Sequence, residues 1–267
     1  MGLRLLNRKV TVNHTLGCGH CEFCMAGETV LCAENLGIAA SGSGGDAQYV
    51  VLPERACFAL AEGLSFGDGA FIACTGATAY AALRKISPSG RDSLAVFGLG
   101  PVGLSGVLVG KALGARVIGV DPVPQRRELA LAVGADEVVR ADELDAATAI
   151  HDLTNGRGAS CSFETSGAPR GQSDAVACLG NKGRAVFVGV NPTGAKAIAP
   201  EQIIHREITL YGSKVLPSPL VAELMRFMLA HELHFDSLVT NRVSLEQSPQ
   251  ALADFDSGTA GKFAIEM

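Results

Sequence analysis

The stretch Ser93 to Asp121, SLAVFGLGPVGLSGVLVGKALGARVIGVD, constrains this chain more than any other. An apolar run, Leu94 to Phe97, stops at Gly98-Leu99-Gly100-Pro101-Val102-Gly103; a helix-patterned segment closes at Gly114, and a second apolar run ends in Asp121. Strand, glycine turn, helix, strand and acid in that order make a βαβ unit with a dinucleotide-binding fingerprint. Gly98 allows the tight turn, Gly100 removes a side chain that would block a diphosphate, and Gly103 lets the helix lie close to the strand. The phosphates then meet backbone N–H groups and the positive end of the helix dipole, so the whole turn, Pro101 and Val102 included, is expected to bind the cofactor. Asp121 stands where a carboxylate accepts both ribose hydroxyls and repels the extra phosphate of NADP, which favours NAD. Arg126 can weaken that preference by meeting a 2′-phosphate; covering the adenine or pointing to solvent are its other readings. A glycine turn alone is also compatible with a purely structural role, and the flanking strand, helix and acid weigh against it.

The totals fit this reading. A length of 267 residues allows one or two domains, and 48% hydrophobic residues, 18% charge and 32 glycines suit a compact α/β protein with many tight turns. A net charge of -5 without a basic block makes nucleic acid and anionic membrane poor partners. The opening MGLRLLNRKV has no uninterrupted apolar core of the signal-peptide kind, so a cytoplasmic protein is expected. Leu94 to Gly110 is uncharged, yet it is short for a membrane span, and its glycines and Pro101 fit a strand turning into a buried helix. Eight cysteines in such a chain argue for reduced thiols, some on metal, over disulfides.

Arg8 to His14 alternates, with Val10 and Val12 on one face, and reads as a short strand leading into LGCGHCEFCMAGETVLC. Cys18, Cys21, Cys24 and Cys32 are separated by two, two and seven residues, and Gly17, Gly19 and Gly27 let the backbone fold around a small centre. Four thiolates so spaced close a tetrahedral zinc site with no position left for water, which makes it structural. An iron-sulfur cluster and a redox pair are the competing readings. His20, inside the loop, reads as a bystander because four sulfurs fill the shell.

The cysteine loop, followed by GGDAQYVVLPE (Gly44 to Glu54), ACTGATAY (Ala73 to Tyr80) and GLGPVG, resembles the zinc-dependent medium-chain alcohol and polyol dehydrogenases, from about Arg8 to the C-terminus. The resemblance implies an α/β fold: a doubly wound parallel (Rossmann) sheet inserted in a partial GroES-like β-barrel domain. Residues 1–74 would form the GroES-like part with its structural zinc lobe, 75–213 the NAD-binding domain, and 214–267 the return to the catalytic domain. By motif match Cys74 looks like the third protein ligand of a catalytic zinc, and Thr78 like the residue beside the nicotinamide. The strand tips at Thr165, Val188 and Val190 are similar to tips that touch the cofactor. Lys262 resembles a basic residue placed near its phosphates. The family also implies Zn2+ and NAD as cofactors, a small alcohol or polyol as substrate, and a homodimer or homotetramer joined through edge strands such as Glu207 to Ser213.

The remaining elements follow from pattern. Residues 47–60 read as strands with a turn at Pro53-Glu54, and FIACTGATAYAALRK as helical after Cys74. Helices are expected at Pro124 to Val133, Asp142 to Leu153 and Gln172 to Leu179; strands at Glu137 to Arg140, Ala159 to Thr165 and Arg184 to Val190. Ser218-Pro219 opens a helix with Leu220, Leu224, Phe227 and Met228 on one face. His231 and His234 follow it with no cysteine or acid at ligand spacing, and read as solvent-facing or dipole-compensating. The tail SGTAGKFAIEM reads as a turn and a last strand.

One departure from the family pattern matters. The family's first zinc cysteine and its Gly-His-Glu segment precede the cysteine loop; no Gly-His-Glu occurs in this sequence, and the context of His14 does not match it. The expectation is a family member lacking its first part, with Cys74 in an incomplete catalytic site. Two functions remain: an NAD-linked zinc alcohol or polyol oxidoreductase, and a non-catalytic NAD-binding remnant that keeps the structural zinc. A zinc-free quinone reductase fits the complete cysteine loop poorly.

Overall fold

A computed structural model describes residues 5, 7–37, 44–142, 145–190, 198–256 and 262–267. The chain divides into two units, Met1–Ala77 with Val215–Met267, and Thr78–Lys214.

The front of the first unit holds strands β1 (Val10–Val12) and β2 (Thr15–Leu16), the short helix α1 (Glu22–Met25), strands β3 (Leu36–Gly37) and β4 (Cys57–Ala59), and helix α2 (Phe66–Ala73). β1 pairs antiparallel with β4, and β2 with β3. The face of β1 that turns inward is that of Thr11, not that of Val10 and Val12: Thr11 is 3% exposed and its hydroxyl donates to Gly69 O at 2.6 Å. A satisfied hydroxyl can be buried at little cost, which lets the valines stay half-buried. The strand expected over 47–60 is confined to Cys57–Ala59. Residues 47–53 have no pairing partner among the described residues, and Tyr49 and Val51 are each 88% exposed; an alternating pattern does not make a strand without a neighbour to take its backbone hydrogen bonds. α2 was not legible as a helix before Cys74, although its start carries a capping box. Ser65 Oγ accepts from Asp68 N and Asp68 accepts from Ser65 N, both at 3.0 Å.

Helix α3 (Thr75–Ile86) runs from one unit into the next. Then follow β5 (Ser93–Phe97), α4 (Pro101–Ala112), β6 (Arg116–Asp121), α5 (Pro124–Ala132), β7 (Glu137–Arg140), α6 (Ala146–Leu153), β8 (Ala159–Glu164), α7 (Pro169–Ala177), β9 (Leu179–Phe187), α8 (Pro200–Ile204) and β10 (Thr209–Gly212). The strands form a six-stranded sheet in the order β10-β9-β8-β5-β6-β7, every pair parallel. β5 and β6 are buried on both faces after their first residue, as strands covered by crossover helices must be. Ala95, Phe97, Ile118, Val120, Val139, Ile150 and Leu179 belong to the core between sheet and helices. The chain builds outward from β5 to β7, then returns to the other side of β5 through β8. The carboxyl ends of β5 and β8 therefore flank the switch point where ligands bind in such sheets. α7 starts earlier than expected, at Pro169, whose fixed φ suits a first helical position. β9 also starts earlier, at Leu179 opposite Ala159, but the next pair is Cys161 with Arg184, so β9 carries the extra residues of a bulge before its regular pairing begins.

The first unit resumes with a 3-10 turn at Ser218–Leu220, helix α9 (Val221–Ala230), strand β11 (Val239–Ser244), helix α10 (Ser248–Asp256) and strand β12 (Lys262–Glu266), which lies parallel to β11. The turn expected just before β12 lies outside the described residues. The buried side of α9 is Val221, Leu224, Met225 and Met228, while Leu220 and Phe227 are half-buried. His234 is exposed, as expected, and in addition its Nδ1 lies 2.9 Å from Oδ2 of the fully buried Asp68. That acid is 166 positions upstream, beyond the reach of any local spacing. His231 caps α9 with its ring 4.5 Å from that of Phe227. Among the described residues no helix is long and apolar enough to cross a membrane.

Candidate functional site

In the first unit, the sulfurs of Cys18, Cys21, Cys24 and Cys32 all lie within 4.8 Å of one another. A tetrahedral zinc with bonds of about 2.3 Å needs sulfurs about 3.8 Å apart, so the four sulfurs are close enough together to share one zinc ion. The backbone already favours thiolate: Cys18 N donates to Cys32 Sγ (3.3 Å) and Cys21 N to Cys18 Sγ (3.4 Å). The amides of His20 and Cys21 lower the Cys18 pKa to about 6. At Cys24 the Gly19 amide also favours the thiolate, but desolvation and the neighbouring thiols outweigh it and raise the pKa to about 11. Gly17 is required sterically, since a Cβ there would land on Cys24 Sγ. His20 is exposed, with Nδ1 3.3 Å from Cys18 O.

In the second unit, the glycine turn, β6 and the tip of β8 enclose a cleft of ≈ 400 Å³ lined by Gly98, Gly100, Asp121, Arg126, Thr165 and Ser166, among others. Gly98 has φ +85°, and a Cβ on it would sit 2.9 Å from Ser166 backbone atoms. A Cβ on Gly103 would land on Gly98 O, whereas one on Gly100 would meet nothing within 4 Å. Two of the three glycines thus serve close packing and the third keeps space open. Pro101 occupies the first position of α4, followed by Val102; Gly100, as N-cap, has no side chain to cap the helix, whose N-terminus is left for an incoming acceptor. Asp121, 2% exposed, accepts from Leu99 N (2.7 Å) through Oδ2 and from Val123 N (2.8 Å) through Oδ1. It pins the turn with one lone pair per oxygen and keeps the others for further donors. Arg126 is 3.8 Å from the same carboxylate.

The strand tips are tied to this turn. Thr165 Oγ1 lies 2.9 Å from Phe97 O and 2.7 Å from Gly98 O. The amides of Val188 and Gly189 both donate to Glu164 O, and Val190 is 86% exposed. Glu164 itself escaped the sequence reading. It is fully buried beside the cleft; Oε1 accepts from the amides of Ser166 (2.8 Å) and Gly167 (3.0 Å) and from the Ser166 hydroxyl, while Oε2 has no partner among the described residues. Burial pushes its carboxyl above the ordinary range despite these donors. The available signal was an acid closing the strand Ala159–Glu164, two residues before Ser166-Gly167.

Cys74 lies between α2 and α3 in the first unit. Desolvation pushes its thiol up and the charge of Lys262, which opens β12, opposes this. Among the described residues no two further ligand side chains converge on Cys74. His14 Nδ1 is 2.6 Å from Ala73 O, next to that cysteine. Thr78 stands in the first turns of α3, at the start of the second unit.

A doubly wound sheet with a glycine turn and terminal acid, together with a unit carrying a four-thiolate loop, defines the class of zinc medium-chain dehydrogenases. Comparison with known proteins agrees. Residues 7–62 match the family of alcohol dehydrogenase GroES-like domains, and residues 101–230 that of zinc-binding dehydrogenases. An uncharacterized zinc-type alcohol dehydrogenase-like protein of Escherichia coli is 33% identical over 96% of this chain and 73% of its own length. A sorbitol dehydrogenase of Bacillus subtilis is 30% identical over 91% and 69%. The crystal structure of an NAD-dependent alcohol dehydrogenase superposes with a TM-score of 0.85 at 26% identity, covering 97% of this chain and 76% of that one. The chain belongs to the zinc-type alcohol dehydrogenase family, with GroES-like and Rossmann domains, and is an oxidoreductase by that membership. Zinc and NAD are the cofactors its family relationships support.

Proposed function

We propose that this chain is an NAD-linked, zinc-dependent oxidoreductase transferring hydride between an alcohol or polyol and NAD. The observation that carries the reading is the buried Asp121 carboxylate at the tip of β6, bonded to the amide of Leu99 in the glycine turn. In such an enzyme zinc supplies Lewis acidity to the alcohol oxygen and the nicotinamide accepts the hydride. The residues of this chain would bind and orient: the turn from Gly98 to Gly103 takes the diphosphate, and Asp121 takes the ribose hydroxyls. Thr78 would be the residue beside the nicotinamide, Thr165, Val188 and Val190 would touch the cofactor, and Lys262 is the basic residue that the family resemblance assigns to its phosphates. Cys74 is a ligand of the catalytic ion, and the Cys18, Cys21, Cys24 and Cys32 set holds the structural one. The negative field of Asp121 favours NAD over NADP, with Arg126 as the opposing charge. A cytoplasmic homo-oligomer paired through β10 completes the reading.

Calorimetry with the whole folded chain tests it. NADH uptake, with NADPH bound at least about tenfold more weakly, is expected; a folded protein that takes up no NADH refutes it. The second reading, a non-catalytic NAD-binding protein with structural zinc, is favoured by a sequence in which no Gly-His-Glu occurs. Metal analysis separates the two, with about two zinc ions per chain for the enzyme and about one for the remnant.

A further inference from the structure

A second cleft opens at the other end of the same sheet, where β5, β6, β8 and β9 begin. Its volume is ≈ 550 Å³, within the range of small-molecule sites. Five cationic residues line it (Arg91, Arg116, Arg157, Lys182 and Arg184) against a single lining acid, Asp92. This runs opposite to the protein's net charge of -5.

Three of the cations are spoken for. Arg116 is held by Glu137 through Nε and Nη2 and by Leu153 O through Nη1; Arg184 bonds Asp92, Ile86 O and Cys161 Sγ. Lys182 lies 3.6 Å from Glu207. Among the described residues the Arg91 guanidinium has no partner, and that of Arg157 has one long contact, from Nε to Thr154 O at 3.4 Å. Two positive charges are therefore uncompensated on one concave surface. On the strand starts, Ser93 and Ser160 exchange amide-to-hydroxyl bonds: Ser93 N donates to Ser160 Oγ (3.4 Å) and Ser160 N to Ser93 Oγ (3.2 Å). Each hydroxyl oxygen is thereby an acceptor, and its own O–H remains as a donor for a ligand. Gly90, Gly158 and Gly180 leave the surface free of side chains between these groups, and a Cβ on Gly180 would land on Arg157 O.

Guanidinium forks recognise phosphate oxygens in pairs, and hydroxyl donors complete such a shell. We propose that this cleft is a second anion site, for a soluble metabolite carrying one or more phosphate groups, separate from the dinucleotide cleft. The paired Arg116 and Arg184 set its walls, and Arg91 and Arg157 supply the charge.

The test titrates inorganic pyrophosphate into the whole chain by calorimetry, comparing wild type with Arg91→Ala/Arg157→Ala, Gly100→Ala and, as a charge control in the other unit, Arg55→Ala/Arg226→Ala. Arg91 and Arg157 are exposed, so the double variant should keep the wild-type melting temperature. Expected is a loss of affinity of at least about tenfold in Arg91→Ala/Arg157→Ala, with binding kept in the other two. Binding lost only in Gly100→Ala would put the pyrophosphate on the glycine turn and overturn the proposal. Equal losses in both arginine pairs would mean unspecific attraction, and no binding to wild type would mean a merely solvated basic surface; either result overturns it as well.

Discussion

Gly100 and Gly103 lie in one turn, yet the geometry assigns them opposite consequences when each becomes alanine. A methyl at Gly103 would land on the carbonyl oxygen of Gly98 and 3.1 Å from Thr165 Oγ1. Backbone cannot swing aside as a side chain can, so the change belongs at the upper end of overpacking costs, about 3 kcal/mol, or roughly 6–12 °C of melting temperature for a chain of this size. At Gly100 the φ of -73° is ordinary and a Cβ meets nothing within 4 Å, so folding should lose under about 1 kcal/mol. That methyl would instead fill the space through which a diphosphate reaches the start of α4. Losing one hydrogen bond to a charged oxygen there costs about 1.5–3 kcal/mol, roughly 10- to 150-fold in NADH affinity. The assays are a thermal melt and a titration of NADH fluorescence on both variants. A Gly100→Ala protein that binds NADH like wild type would refute the placement of the diphosphate, and equal stability losses in the two variants would refute the division of labour.

Three further outcomes are expected. Gly17→Ala should displace Cys24 and lose the structural zinc to a chelator that leaves wild type loaded, read by metal analysis after dialysis; equal retention would show that the loop tolerates the methyl. Because the folded-state pKa of Glu164 is raised, the folded chain binds that proton more tightly than the unfolded one. The stability of wild type relative to Glu164→Gln should therefore be greatest below the ordinary carboxyl value of 4.5, fall as pH rises above it, and level off beyond the folded pKa. Urea denaturation from pH 4 to 8 measures this, and a pH-independent difference contradicts it. The edge strand β10 exposes Thr209 and Gly212 and half-buries Leu210 and Tyr211, so Leu210→Glu should lower the mass seen by light scattering; a wild-type monomer at micromolar concentration would refute pairing through this edge.

What could be read from the sequence was what depends on near neighbours. The turn from Gly98 to Gly103, its flanking runs and the acid at 121 form a local pattern whose periods change from strand to helix and back. The four cysteines are brought together by a loop short enough for spacing to report distance. What could not be read has the opposite character. Thr11 turns inward because a carbonyl 58 positions away accepts its hydroxyl, and His234 meets an acid 166 positions away. The first part of β9, Leu179-Gly180-Asn181-Lys182-Gly183, has the composition of a turn, and Lys182 indeed adopts φ +60°. Of these five only Leu179 has a strand partner, Ala159 of β8; regular pairing with both β8 and β10 begins at Arg184. Glu164 is written in the motif Phe163-Glu164-Thr165-Ser166-Gly167, but its part in holding the Ser166-Gly167 turn depends on that turn folding back over the carboxylate.

The two clefts of the second unit share β5, which begins at Ser93 beside the basic surface and ends at Phe97 beside the glycine turn. Five residues of strand span roughly 17 Å, about twice the screening length at physiological salt. A phosphate group at one end is therefore screened from a diphosphate at the other, and coupling would require β5 itself to move. A strand with both neighbours paired and four of its five residues buried has little freedom to do so. Pyrophosphate and NADH should then bind independently: Gly100→Ala should leave the pyrophosphate affinity, and Arg91→Ala/Arg157→Ala the NADH affinity, within about 0.5 kcal/mol of wild type. A coupling above that limit, measured by titrating each ligand in the presence of the other, would show that the sheet transmits strain between its ends and would refute the rigid-strand argument.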